Sequence, residues 1–338
     1  MNELLKAEHL SVSFFTDAGE VEAVRDVSFT VEKGEVLAIV GESGCGKSAL
    51  CKSIMKLLPK TAKIKSGKIL VNGADITDYT EKNMSRLRGE LFSMVFQDPM
   101  TSLNPTITVG KQIGEAVRIH NKKMSRGQIR KRVIELMQLV EIDRPEERIR
   151  QYPHEFSGGM RQRAVMAIAL AGNPKILFAD EPTTALDVTI QAQILDLLRE
   201  IQKKLGTATV FVTHDLGVVA RIADRVAVMY AGKIVEIGTV DEIFYDPRHP
   251  YTWGLLRSIP AFSRGKESLP SIPGMPPSLL HPPKGDAFAS RNAYALEIDF
   301  EEEPPMFRVT DSHYAATWLL DERAPKVVPP IGGNTDGT

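Results

Sequence analysis

The first forty residues alternate apolar and polar positions in short runs that turn residues separate. The runs LSVSFF, VSFTV and VLAIV are typical of strands, and the last leads directly into the glycine-rich segment GESGCGKS. A helix is predicted from Ser48 to about Leu58, before Pro59, and the stretch GKILVNGADI that follows alternates like a half-buried strand with an Asn-Gly turn. The pattern therefore predicts a mixed α/β block.

The middle of the chain changes to a helical spacing of apolar residues. Between Gly110 and Gln151 they recur every three or four positions, as in QIRKRVIELMQLV, which predicts a helical insertion. Strands return as ILFAD and VFVTH, with the helical run IQAQILDLLREIQKKL between them. This strand, helix, strand order predicts a parallel sheet covered by helices.

The last part of the chain is rich in proline. Of the 21 prolines, 11 fall in the final 76 residues, and ten of these lie in SIPGMPPSLLHPPKG, EEEPP and RAPKVVPP. Proline interrupts both helices and central strands, so this composition predicts an irregular, loop-rich extension in place of a second regular domain.

Composition and charge exclude several classes of protein. The 338 residues carry 42 Lys and Arg against 43 Asp and Glu, a formal charge of -1, so no global basic field attracts nucleic acid or anionic lipid. No apolar run approaches the roughly 20 residues of a membrane span, and the start lacks the pattern of a signal peptide. The two cysteines, Cys45 and Cys51, lie in one segment, which favours a reducing compartment. We expect a cytosolic or peripherally attached chain.

The segment GESGCGKS predicts a phosphate-binding loop, because it follows a strand and precedes a helix. Its glycines let backbone N–H groups turn toward phosphates, Lys47 neutralises phosphate charge, and the Ser48 hydroxyl can bind Mg²⁺. Cys45 occupies a variable position and is interpreted as a small filler. The predicted nucleotide contacts here are Gly41, Glu42, Ser43, Gly44, Cys45, Gly46, Lys47, Ser48 and Ala49.

Two acidic residues end the apolar run ILFAD and its continuation. Asp180 is expected to hold Mg²⁺ through its water, and Glu181 to act as general base toward the attacking water. An apolar strand that ends in acids also occurs as a simple helix cap. The phosphate-binding loop upstream favours the functional interpretation.

A second glycine turn, FSGGMRQR, precedes another predicted helix and offers a second anion site. With this segment the sequence resembles the ABC transporter ATPases, in which the signature loop of one subunit closes over ATP held by the phosphate-binding loop of the other. The resemblance implies that Ser157, Gly158 and Gly159 act in trans, and Gln162 is counted with them as a nucleotide contact.

The remaining residues of that family's set occur in the family's order. The resemblance implies that Gln97 reaches the magnesium and the attacking water, and that Asp187 belongs to the loop that crosses the dimer interface. It implies that His214 touches the γ-phosphate and orients the base. Phe14 matches the residue that stacks on adenine, with Phe15 and a plain core role as open alternatives.

The resemblance also implies the fold class. We expect an α/β P-loop NTPase core of the ABC ATPase type, with a mostly parallel sheet, an antiparallel β subdomain and a helical insertion, followed by an irregular Pro-rich C-terminal extension. The predicted nucleotide-binding domain spans 1–262, with its helical signature subdomain at about 98–168. The extension spans 263–338.

Later segments narrow the resemblance to one subfamily. The stretch DPRHPYTWGLL, then Ile259-Pro260 and Ile272-Pro273-Gly274, is similar to the C-terminal hallmark of the oligopeptide/dipeptide importer ATPases, and QDPMTSLNP is typical of the same group. The similarity continues to about Trp318. Importers of nickel and of other small solutes belong to this subfamily as well, so the cargo stays open between these and peptides.

One departure concerns four cysteines that many relatives carry in the extension, where some bind an iron–sulfur cluster. Asp286, Asn292, Asp299 and Thr317 stand at the matching positions, and none supplies a thiolate. We expect no cluster. A hard cation held by Asp286 and Asp299 is one alternative, and exposed, solvated loop carboxylates are the other.

The predicted function is ATP hydrolysis, with ATP and Mg²⁺ as cofactors, that powers import of di- or oligopeptides. The expected partners are transmembrane permease subunits, a homologous second ATPase subunit or a second copy of this chain, and indirectly an extracytoplasmic solute-binding protein. The expected location is the cytoplasmic face of the membrane. A soluble ABC ATPase acting on nucleic acid or ribosomes is disfavoured by the single phosphate-binding loop and near-neutral charge. A non-hydrolysing regulatory subunit is disfavoured by the intact motifs.

Overall fold

A computed structural model describes residues 3–97, 102–184, 186–259 and 272–330. The chain forms two compact units. The first contains the described residues of Met1–Leu4, Val31–Val36 and Asp78–Val212, and the second those of Leu5–Thr30, Leu37–Thr77 and Thr213–Thr338. Segments of both units therefore alternate along the chain.

The described strands, in chain order, are β1 (Glu3–Thr16), β2 (Gly19–Glu32), β3 (Val36–Val40), β4 (Ala62–Val71), β5 (Ala74–Asp75), β6 (Phe92–Val95), β7 (Ile176–Asp180), β8 (Ala208–Thr213), β9 (Arg225–Tyr230), β10 (Lys233–Thr239), β11 (Phe307–Arg308) and β12 (Tyr314–Ala315). The described α-helices are α1 (Lys47–Ile54), α2 (Glu81–Leu87), α3 (Val109–His120), α4 (Arg126–Leu139), α5 (Pro145–Arg148), α6 (Gly158–Ala169), α7 (Val188–Leu205), α8 (Leu216–Ile222), α9 (Val240–Tyr245), α10 (Pro250–Arg257) and α11 (Glu297–Glu301).

The first unit contains three parallel strands. β7 pairs with β6 on one side and with β8 on the other. Every residue of β7 and β8 is buried, and their apolar runs show no alternation because both faces of such strands are covered. The predicted strand, helix, strand unit is confirmed, with α7 as the connecting helix.

The predicted helical insertion is also confirmed in the first unit. α3 buries Val109, Ile113 and Val117, which lie on one face at four-residue spacing. α4 begins with a capping box, in which the Ser125 hydroxyl accepts from the Gln128 N–H and the Gln128 side chain accepts from the Ser125 N–H. The short helix α5 follows. Residues 98–101, at the start of the predicted subdomain, lie outside the described residues.

The second unit contains the antiparallel β subdomain. Its strands lie in the order β2, β1, β4, β5, and the predicted Asn-Gly turn joins β4 to β5. Asn72 and Gly73 both have positive φ, 48° and 79°, as this tight hairpin turn requires. Helix α1 ends at Ile54, four residues before the predicted end, because Lys56 takes a left-handed conformation that terminates the helical hydrogen bonds.

The C-terminal extension is more regular than its composition predicted. In the second unit β3 pairs with β9 in parallel and β9 pairs with β10 in antiparallel fashion. The extension then adds β12 along β10 and β11 along β12. Two short strands therefore cover a sheet edge that would otherwise present unpaired backbone groups. The predicted domain boundary at 262/263 lies outside the described residues and stays a prediction.

Within the second unit, an aromatic cluster packs the extension against the segments that precede it. The ring centroid of Phe288 lies 5.3 Å from that of Tyr230 and 5.3 Å from that of Tyr251, and the two tyrosine rings are 4.6 Å apart. All three residues are buried. Trp253 of α10 belongs to the same cluster. Within the described residues, no helix is both long and apolar enough to cross a bilayer.

Candidate nucleotide site

The phosphate-binding loop lies between β3 and α1 in the second unit, and three of its glycines have positive φ. A Cβ at Gly41 would lie 2.0 Å from the Met229 carbonyl oxygen, and one at Gly46 would lie 2.1 Å from the Ala23 carbonyl oxygen. A Cβ at Gly44 would meet nothing within 4 Å, so Gly44 is required for its φ of 80° alone. Close packing and backbone conformation together explain the glycine pattern.

Lys47 folds over this loop. Its Nζ donates to the carbonyl oxygens of Gly41 and Glu42, at 2.7 and 2.9 Å, and the residue is 5% exposed. Within the same segment Ser43 is exposed, while Ser48 and Ala49 are half-buried. A buried ammonium beside glycine-rich backbone at a helix start has the chemistry that holds an anion, so these residues fit a phosphate group.

Cys45 is buried beside Lys47. Burial raises the pKa of its thiol above the usual value, although the Lys47 ammonium acts in the opposite direction. A thiol with a raised pKa is a weak nucleophile at neutral pH. The geometry agrees with the interpretation of Cys45 as a filler.

The first unit contains the two predicted acids. Asp180 ends β7 and is 2% exposed, and Glu181 follows with a φ of 46°. The Glu181 Oε2 accepts hydrogen bonds from Gln97 Nε2, at 3.2 Å, and from Thr184 Oγ1, at 2.9 Å. The structure therefore brings Gln97 and Glu181 together, while their contacts with magnesium and water stay predictions.

The backbone of Glu181 is strained. A left-handed conformation destabilises a non-glycine residue by roughly 1–2 kcal/mol, and such strain is typical of functional positions. The Glu181 N–H donates to the Val212 carbonyl oxygen at 2.9 Å, which holds the turn in place. Thr184 was missed by sequence reasoning, and its only sequence signal is its position three residues after Glu181.

The signature residues form the start of α6 in the first unit. Ser157 is the N-cap and accepts a hydrogen bond from the third helical N–H at 3.3 Å. A Cβ at Gly159 would lie 2.7 Å from Ile190 Cγ2, whereas one at Gly158 would have space. Asp187 caps α7 and accepts from the Ile190 N–H at 2.9 Å. The signature turn and the Asp187 loop therefore pack together, which explains Gly159.

Three other predicted site residues have different surroundings. Gln162 has no exposed surface, and neither side-chain polar atom has a hydrogen-bond partner in the described part of the chain. His214 is exposed directly after β8. Phe14 is half-buried, while Phe15 is 39% exposed with the ammonium nitrogens of two lysines 5.5 and 5.8 Å from its ring centroid. Their nucleotide contacts stay predictions, and so does the choice between the two phenylalanines.

The four residues that the resemblance sets against a cysteine position, Asp286, Asn292, Asp299 and Thr317, lie in the extension. Asp286 is 8% exposed and Asp299 is 1% exposed, so these carboxylates are buried, and the alternative of exposed, solvated loop carboxylates was wrong. The Asp286 N–H donates to the Asp299 carbonyl oxygen at 2.7 Å, which folds the two segments together. Asn292 accepts from the Tyr294 N–H, and Thr317 caps the turn that follows it.

We expect Asp286→Asn to stabilise the protein above pH 6. Burial raises the pKa of Asp286 to about 6, and the nearby Asp299 charge acts in the same direction. Because the folded pKa exceeds that of the unfolded chain, stability is lost as pH rises through 6. The amide removes this loss, worth about 2–3 kcal/mol at pH 7.5, and keeps an acceptor for the Phe288 N–H.

Urea unfolding of both proteins at pH 4 and pH 7.5 measures this difference. The higher unfolding free energy of Asp286→Asn should be present at pH 7.5. It should be nearly absent at pH 4, where the side chain at position 286 is neutral in both folded proteins. Asp17→Asn, on the exposed turn between β1 and β2, is the matched control and should leave stability unchanged at both pH values. Equal stability of Asp286→Asn and the native chain at pH 7.5 would contradict the argument.

Two family models match this chain. Residues 24–184 match the model described as ABC transporter, and residues 235–298 match the C-terminal region of oligopeptide/dipeptide transporters. The oligopeptide transport ATP-binding protein OppD of Bacillus subtilis is 61% identical over 98% of this chain and 92% of its own length. The dipeptide transport ATP-binding protein DppD of Lactococcus lactis is 59% identical over 97% and 94%, respectively.

Solved structures with a similar fold are ATP-binding cassettes. A dimeric post-hydrolysis state of the cassette MJ0796 bound to ADP and Pi has a TM-score of 0.63 and 27% identity, over 70% of this chain and 99% of that one. CbiO1 of Clostridium perfringens, part of the ABC transporter complex CbiONQ, has a TM-score of 0.63 and 32% identity, over 72% and 91%. Together with the phosphate-binding loop and the Gln97–Glu181 pair, this similarity identifies a nucleotide-binding ATPase. The chain belongs to the ABC transporter family, among the ATP-binding proteins of oligopeptide and dipeptide transport.

Proposed function

We propose that this chain hydrolyses ATP to power the import of dipeptides or oligopeptides through a separate membrane permease. One observation carries the proposal: relatives named for oligopeptide and dipeptide transport match it over more than nine-tenths of both chains. The match includes the C-terminal region as well as the ATPase region. The peptide cargo is therefore inferred from similarity over the whole chain, and not from the nucleotide motifs alone.

The residues described above support a hydrolytic mechanism. Lys47 and the loop N–H groups would bind the phosphates, and Glu181 would accept a proton from the water whose oxygen attacks the γ-phosphorus. The bond from that phosphorus to the bridging oxygen then breaks, and ADP leaves. Gln97 and Thr184 hold the Glu181 carboxylate in one orientation. His214 is proposed to touch the γ-phosphate.

A magnesium ion is proposed to accompany ATP. The Ser48 hydroxyl, the Asp180 carboxylate and the Gln97 amide oxygen would hold it, and hard oxygen donors of this kind suit Mg²⁺. The near-complete burial of Asp180 fits this role, because a cation is attracted more strongly to a carboxylate removed from water than to a solvated one. When bound, the ion neutralises charge that develops on the phosphates.

Two ATPase subunits are proposed to act together. Ser157, Gly158 and Gly159 of one subunit would close over the nucleotide of the other, with Asp187 at the interface. The second subunit is either a homologous ATPase or another copy of this chain. The pair would sit at the cytoplasmic face of the membrane on permease subunits, docked near Gln97 and the helical insertion, with a solute-binding protein delivering cargo from outside.

The cargo is tested by uptake into cells that lack their own peptide-importer ATPase but retain the permease and binding protein. The chain should restore accumulation of a radiolabelled tripeptide, and Lys47→Ala should not, since it removes the ammonium over the phosphate-binding loop. Accumulation of labelled Ni²⁺ without the tripeptide would replace the peptide assignment by the nickel alternative. Accumulation of neither would overturn the importer assignment.

A further inference from the structure

The extension reaches the phosphate-binding loop through one arginine. Arg291 lies at the end of a 3₁₀ turn, Ala289–Arg291, and is separated from Glu42 by 249 residues of sequence. Its Nη1 donates to Glu42 Oε2 at 2.7 Å, and its Nη2 donates to Glu42 Oε1 at 2.9 Å. This bidentate geometry is the strongest form of an arginine–carboxylate pair.

The Arg291 guanidinium makes further hydrogen bonds and contacts two aromatic rings. Its Nε donates to the Pro273 carbonyl oxygen at 2.8 Å, and its Nη1 also reaches the Tyr230 hydroxyl at 3.2 Å. The rings of Tyr230 and Phe288 lie 5.7 and 5.9 Å from its Cζ atom. The Arg291 side chain is only 4% exposed, and the Glu42 side chain is 26% exposed. The pair is thus largely removed from solvent screening, unlike an ordinary surface ion pair.

Glu42 is fixed at its backbone as well as its side chain. Its N–H donates to the Tyr251 hydroxyl at 2.9 Å, and its carbonyl oxygen accepts from Lys47 Nζ at 2.9 Å. The residue that carries the Arg291 contact therefore also positions the lysine expected to meet phosphate. Tyr251 belongs to α10, so α10 and the extension hold the same loop residue.

Glu42 places a carboxylate inside a loop that is expected to bind phosphate. A negative charge next to bound phosphates opposes binding, and the opposition is large where water is excluded. Arg291 supplies the compensating positive charge directly to both carboxylate oxygens. The Glu42 carboxylate in turn raises the pKa of the Arg291 guanidinium, so the arginine stays charged at any pH of interest.

We propose that Arg291 is a positioning residue for ATP binding: it neutralises Glu42 and fixes the phosphate-binding loop from the extension. The inference rests on the proposed function only in that ATP is the ligand. It assigns the extension a role at the nucleotide site. Because coupling between two sites is reciprocal, bound nucleotide should also stabilise the segment around Arg291.

The test compares equilibrium affinity for a fluorescent ATP analogue in four variants. Arg291→Met keeps the packing against Tyr230 and Phe288 but removes the charge, and it should weaken binding about tenfold, as expected for loss of a buried charge pair. Glu42→Gln/Arg291→Met should bind within about threefold of Glu42→Gln, because the uncompensated carboxylate is gone. Arg323→Ala, which removes an exposed arginine of the extension paired with Asp321, should match the native chain.

In steady-state hydrolysis Arg291→Met should raise the KM for ATP and leave kcat within about twofold of the native value. This is the result expected when a substitution weakens ATP binding equally in the ground state and in the transition state. Native affinity in Arg291→Met, or equal weakening in Arg291→Met and the double variant, would overturn the proposal. A general loss of folding would weaken analogue binding in Arg291→Met and in the double variant alike. Recovery of affinity in the double variant therefore separates charge compensation from structural damage.

Hydrogen exchange of the native chain provides a test that needs no variant. The Arg291 amide donates to the Phe288 carbonyl oxygen, and its exchange should slow at least about threefold when the ATP analogue is bound. Unchanged exchange at saturating analogue would also overturn the proposal. Failure of peptide uptake with normal analogue binding would instead count against the proposed cargo and leave this inference standing.

Discussion

Replacing Glu181 by glutamine should lower kcat for ATP hydrolysis by at least about a hundredfold, the range lost when a general base is removed. The amide keeps the size of the side chain and an oxygen for the Thr184 hydroxyl, but it takes up no proton at neutral pH. Nucleotide affinity should stay close to native because the phosphate-binding loop is untouched. Turnover measured by phosphate release, beside analogue binding, separates the two effects.

The same variant should accumulate as an ATP-bound dimer. Closure of two subunits over ATP precedes hydrolysis in the proposed mechanism, so a slow chemical step leaves the closed form populated. Size-exclusion chromatography with and without ATP reports this species. Glu200→Gln, an exposed glutamate on α7, is the matched control and should hydrolyse ATP at the native rate. Native turnover by Glu181→Gln would remove Glu181 as the base.

Glu236→Ala should lower the free energy of unfolding by about 3–5 kcal/mol, because three groups lose their hydrogen-bond partner at about 1–3 kcal/mol each. Glu236 lies on β10 with no exposed surface, and its Oε1 is 2.7 Å from His313 Nε2. Its two oxygens also accept the backbone N–H groups of Arg248 and His249, at 2.5 and 3.1 Å. Alanine would leave the half-buried Arg248 amide, the buried His249 amide and the buried His313 imidazole without this hydrogen-bond partner.

Urea unfolding of three proteins measures this effect. Glu236→Gln retains one carbonyl oxygen and should lose about 1–2 kcal/mol, between alanine and native. Glu301→Ala, at an exposed position of α11, should stay within about 0.5 kcal/mol of native. The result that contradicts the argument is a Glu236→Ala protein as stable as Glu301→Ala, because the network would then contribute nothing beyond an exposed side chain.

The parts of the fold that could be predicted from sequence are those with a local signal. The buried parallel strands β7 and β8 are continuous apolar runs, and the phosphate-binding loop has fixed glycine spacing between a strand and a helix. The Asn72-Gly73 hairpin likewise follows from two residues that tolerate positive φ. In each case the residue types and their spacing determine the conformation.

The remaining features depend on contacts distant in sequence. β11 and β12 have two residues each, too few for an alternation pattern, and they form because an edge of β10 is available. The burial of Asp286 and Asp299 could not be predicted, because a carboxylate in a proline-rich segment is usually solvated. The Arg291–Glu42 pair joins residues 249 positions apart, and no local pattern marks either partner.

The most direct test of the central claim is ATP-driven peptide uptake by vesicles that contain the permease. ATP, the purified chain and its second ATPase subunit are enclosed in the vesicles, and the solute-binding protein and the labelled tripeptide are added outside. The native chain should support accumulation of a labelled tripeptide in step with ATP hydrolysis, and Glu181→Gln should bind ATP but support neither. Tripeptide accumulation at the native rate with Glu181→Gln, or hydrolysis by the native chain that never moves the peptide, would contradict the account.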